Sequence, residues 1–69
     1  MKILIALIKK DKTWEPYFTW VPNNITDLNQ IFEKAKLQTY EDRMKDPERF
    51  PKDLIGVHPI KILKDGEVV

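Results

Sequence analysis

Residues Lys2–Lys9 read KILIALIK, and the fold turns on how this run is interpreted. The apolar stretch Ile3–Ile8 is too short for a helix of ordinary length. It is partly β-branched, at Ile3, Ile5 and Ile8, which suits a strand. Ile3, Ile5 and Leu7 fall on one face, and Leu4, Ala6 and Ile8 on the other. A strand that is apolar on both faces belongs in the centre of its sheet. In so short a chain one helix covers one face, and the other needs a loop, a second layer or another molecule. The run follows Lys2 as a signal sequence would. It lacks the length and the small-residue cleavage site of one, and falls far short of the ~20 residues that span a bilayer. The expected compartment is the cytoplasm, with no membrane partner.

Outward from this strand, Lys9-Lys10-Asp11-Lys12-Thr13 is a polar turn. Trp14–Val21 reads as a second strand, paired with the first as a hairpin. Pro16 lacks a backbone donor, which places this strand at an edge of the sheet. Pro22-Asn23-Asn24 ends it. Asn24 or Thr26 is then the expected helix cap, with Asp27 in the first turn. Ile25, Leu28, Ile31, Phe32 and Ala35 share one helical face, whereas Leu37, Tyr40 and Met44 share an almost opposite one. That reversal predicts a bend near Gln38–Thr39, giving two helices that both face the core. The alternative is one straight helix with a second, exposed apolar stripe. Asp46-Pro47 ends the helical region. A connector, Glu48–Pro59, is pinned by Phe50, Leu54, Ile55 and Val57 and is placed to cover the open sheet face. Ile60–Lys64 is a third strand, and Lys64-Asp65-Gly66-Glu67 a hairpin turn leading to a stub at Val68–Val69. The expected fold is a single α+β domain: a small antiparallel sheet, β-β-α-β, with the helical segment packed on one face.

Sixty-nine residues hold one small core, with a net stability of roughly 3–5 kcal/mol. The chain has no cysteine and no serine, so it offers no disulfide, no thiolate metal site and no Ser or Cys nucleophile. Its glycines, Gly56 and Gly66, form no phosphate loop. His58 is the single histidine and follows no catalytic pattern. Glu41-Asp42 and Asp46/Glu48 alternate with Lys36, Arg43 and Lys45, as on an ordinary solvated helix face. No catalytic residue, metal ligand or cofactor is expected, and the chain is not expected to be an enzyme.

The strongest anomaly is aromatic. Four of the chain's seven aromatic residues, Trp14, Tyr17, Phe18 and Trp20, crowd into one edge strand. Alternation puts Trp14, Phe18 and Trp20 on one face and Tyr17 on the other. If the first three are core against the helix, Tyr17 is outside and available to a partner. The leading expectation is a small interaction protein that binds and modulates a larger protein, with inhibition the favoured mode, in the style of compact accessory proteins of viruses and mobile elements. Its candidate contacts are Trp14, Tyr17 and Trp20 on the strand and Tyr40 and Met44 on the helix. The alternative is a module for single-stranded nucleic acid, using Lys9, Lys10, Lys12, Trp14 and Tyr17. It ranks lower because the turn contains Asp11 and the net charge is only +1. A third reading is a homodimer that covers its open sheet face with a second copy.

Overall fold

A computed structural model describes residues 1–63. Three antiparallel strands, β1 (Lys2–Lys9), β2 (Trp14–Trp20) and β3 (Leu54–Leu63), form one sheet in the order β2-β1-β3. One helix, α1 (Leu28–Lys45), and a short 3-10 turn, Pro47–Arg49, connect β2 to β3. The α+β class and the central place of β1 are as expected. The C-terminal hairpin expected from Lys64 onward lies outside the described residues.

The core lies between the sheet and α1. Ile3, Ile5 and Leu7 project into it from β1 and meet Val21, Ile31, Ala35, Phe50, Leu54 and Val57. Each large aliphatic side chain buried here stabilises the fold by about 1.5–3 kcal/mol. Two expectations about the cover of the sheet are overturned. The connector does not close the open face: Phe50 and Leu54 pack on the helix side, in the core. The third strand begins at Leu54, not at Ile60. It pairs with β1 along the whole length of that strand, from Lys2↔Leu63 to Lys9↔Leu54. Two register shifts lengthen it, leaving Ile60 and Ile55 without partners on β1. Both are exposed.

The helix is continuous, so the expected bend at Gln38–Thr39 is absent. Asp27, rather than Asn24 or Thr26, is the cap, its side chain accepting from the Asn29 N–H at 2.9 Å. The reason for continuity lies on the inner face. Beyond Ala35 that face is built from Thr39, Gln38 and Asp42 instead of large apolar residues. Thr39 is fully buried, and its hydroxyl donates to the Ala35 carbonyl at 2.8 Å. Asp42 accepts from the Tyr17 hydroxyl at 2.7 Å and from the Gln38 amide at 3.0 Å. The inner face therefore satisfies its own polar groups, and the outer stripe of Leu37, Tyr40 and Met44 stays in solvent.

Candidate functional site

Hydrogen-bond phase decides what each edge presents. The Lys9 N–H donates to the Thr13 carbonyl, and Val21 and Met1 exchange bonds at the far end of the hairpin. Antiparallel pairs bond at every second residue, so Glu15, Tyr17 and Thr19 bond inward to β1. The backbone groups of Trp14, Pro16, Phe18 and Trp20 then point away from the sheet. Pro16 stands where its missing donor costs no ladder bond. In β3, Pro59 lies opposite Ile5 and likewise faces outward.

The same alternation sorts the side chains, and it reverses one expectation. Tyr17 faces α1. Its ring packs on Phe50 with centroids 4.8 Å apart, and its hydroxyl is bound by Asp42. Burial and the Asp42 carboxylate push the Tyr17 phenol up to about 12. Tyr17 is thus part of the scaffold, and its expected place outside, among partner contacts, is corrected. Trp14, Phe18 and Trp20 are not core against the helix. They lie on the helix-free face, 52%, 39% and 68% exposed. Lys9 also leaves the expected group: it points to the helix side and pairs with Glu15 at 3.4 Å. Lys10 and Lys12 remain exposed in the turn at the end of the sheet. That turn is held by Asp11, which accepts from the Thr13 N–H and hydroxyl; these bonds draw its carboxyl below the usual value.

On the helix-free face the strands align in rows. Trp20 neighbours Lys2, which neighbours Leu63; Phe18 neighbours Leu4, then Lys61. Pro16 neighbours Ala6, then His58; Trp14 neighbours Ile8, then Gly56. Leu4, Ala6 and Leu63 are buried, so the floor is apolar and closed beneath the aromatic groups. The Lys2 ammonium lies over the Phe18 ring, 4.6 Å from its centroid. Tyr40 and Met44, the remaining candidate contacts, lie on the opposite side of the molecule, 42% and 84% exposed on the outer face of α1. They do not join the tryptophans in one site.

Among the described residues no three histidine, aspartate or glutamate side chains gather as a metal site would require. No described helix is long and apolar enough to cross a membrane. No family model, curated protein or solved structure matches the chain. Of the residues on this face, sequence reasoning singles out Trp14 and Trp20 and passes over Lys2, His58 and Lys61. They become visible only through the cross-strand register, since they are far apart along the chain.

Proposed function

We propose that this protein is a non-catalytic binding protein whose site is the helix-free face of its sheet, and whose partner is another macromolecule. The observation that carries this reading is the exposure of Trp14, Phe18 and Trp20 together, over an apolar floor, on the face that α1 does not cover. Large aromatic side chains contribute most when buried against a partner. A contiguous apolar surface of this kind marks an interaction site. A second reading, a larger protein held by α1, is favoured by the exposed stripe of Leu37, Tyr40 and Met44, which the fold does not use.

Photocrosslinking separates the two. A photoreactive benzoylphenylalanine is placed at Trp20, at Met44, or at the exposed connector residue Lys52 as a control. Adducts in cells that make the protein are expected from the Trp20 position and not from Lys52. Adducts from Met44 alone would transfer the function to the helix. Equal adducts from all three positions, or none from Trp20, would overturn the sheet-face assignment.

A further inference from the structure

We infer that the outer edge of β2 pairs with the same edge of a second copy of this chain, antiparallel, about a twofold axis at Tyr17. The inference goes beyond the proposed function and does not depend on what the helix-free face binds. Among the described residues no strand lies beyond β2 in the order β2-β1-β3. The outward N–H and C=O groups of Trp14, Phe18 and Trp20, and the carbonyl of Pro16, therefore have no ladder partner there.

An axis at Tyr17 overlaps the whole of Trp14–Trp20 with its copy, and moving it to Phe18 or Thr19 shortens the overlap. Trp14 then faces Trp20 of the copy, and Pro16 faces Phe18. These are hydrogen-bonded pairs, since both members point outward. With the donors that Pro16 lacks taken away, about six bonds join the strands. On the helix-free face aromatic rings meet aromatic rings or proline across the join. On the helix side the match is one of charge. Glu15 is the one charged residue of β2, and it arrives opposite Thr19 of the copy. Thr19 borders a groove of about 420 Å³ beside α1 that Arg49 also lines. Arg49 makes no ion pair with a described residue, and the carboxylate in that groove, Asp42, is engaged by Tyr17 and Gln38. The Glu15 side chain is 52% exposed and tied to Lys9 at 3.4 Å. The reversed strand thus brings a carboxylate to a guanidinium on both sides of the axis. This complementarity selects a second copy, in this register, over an unrelated strand.

The test measures the molar mass of the full chain by light scattering at rising concentration. The mass is expected to climb to that of two chains. Glu15→Arg and Arg49→Glu should each weaken pairing roughly tenfold or more, because like charges then meet on both sides of the axis. Mixed in equal amounts, the two variants should pair again, since each supplies what the other lacks. A defect within one chain is not repaired by mixing. Phe18→Pro removes an outward donor without touching a bond to β1, and should abolish pairing while circular dichroism shows the fold kept. The mass of a single chain at every concentration would overturn the inference. So would a mixture that fails to pair, or a Phe18→Pro variant that pairs as the wild type does. A chain that stays single, its Phe18 and Trp20 amides protected from hydrogen exchange only when another protein is added, would assign the edge to that protein instead. In the crosslinking experiment, an adduct at Trp20 made of this chain alone belongs to this contact, and an adduct with another molecule belongs to the helix-free face.

Discussion

Tyr17 shows how one side chain ties the sheet to the helix. Its ring lies on Phe50 and its hydroxyl reaches across to Asp42, which also holds Gln38. The folded protein prefers the neutral phenol, with its pKa raised from 10 to about 12. A group raised in the folded state contributes stability that is complete below its unfolded value and lost as pH climbs through the folded one. The melting temperature should therefore fall between pH 10 and pH 12, and Tyr17→Phe should remove that part of the fall. Thermal melts of the two proteins across this range, compared as a difference curve, check it; superimposable pH profiles would mean that Asp42 does not hold the phenol. Lys12 is a smaller local feature. It is the one described non-glycine residue with positive φ, at 71°, in the hairpin turn. An L-residue in that conformation carries strain of about 1–2 kcal/mol, which the Asp11–Thr13 bonds hold in place.

The helix and β2 were each half legible in the sequence, for one shared reason. Period-two alternation correctly separated Tyr17 from Trp14, Phe18 and Trp20, and period-3.6 patterning correctly set Leu37, Tyr40 and Met44 apart from Ile31 and Ala35. What hydrophobicity could not decide was which side faces inward. Where the second half of α1 meets β2, the contact is made by Thr39, Asp42, Gln38, Tyr17 and Thr19, small or polar groups that satisfy one another. Both elements turn their larger apolar residues outward. A rule that buries the most apolar face reads both elements backwards at this point, and it also inserts a bend to bring Tyr40 and Met44 into the core. Since those residues lie outside the buried core, Tyr40→Gln with Met44→Gln should change stability little, by about 0.5 kcal/mol per site at most, the range of ordinary surface substitutions. Urea denaturation measures this directly, and a loss of several kcal/mol would mean that the stripe is covered in solution.

At the scale of the whole molecule, β1 was legible because it is apolar on both faces, and with it came the strand order β2-β1-β3. The rows that cross the sheet were not legible, because neighbours such as Trp20, Lys2 and Leu63 come from distant parts of the chain. The two borders of the sheet differ as well. Along β3, Pro59 and the unpaired residues Ile55 and Ile60 interrupt the outward backbone, whereas β2 is interrupted only at Pro16 and keeps an unbroken stretch at Phe18–Trp20. Among the described residues β2 is therefore the border better suited to take the strand of a second molecule, and β3 the poorer one. Two copies joined through β2 would present only β3 at both ends, which makes two molecules the expected limit of growth. Sedimentation velocity at rising concentration should accordingly show a species of two molecules at most; longer polymers would mean that β3 accepts a strand despite its irregularities.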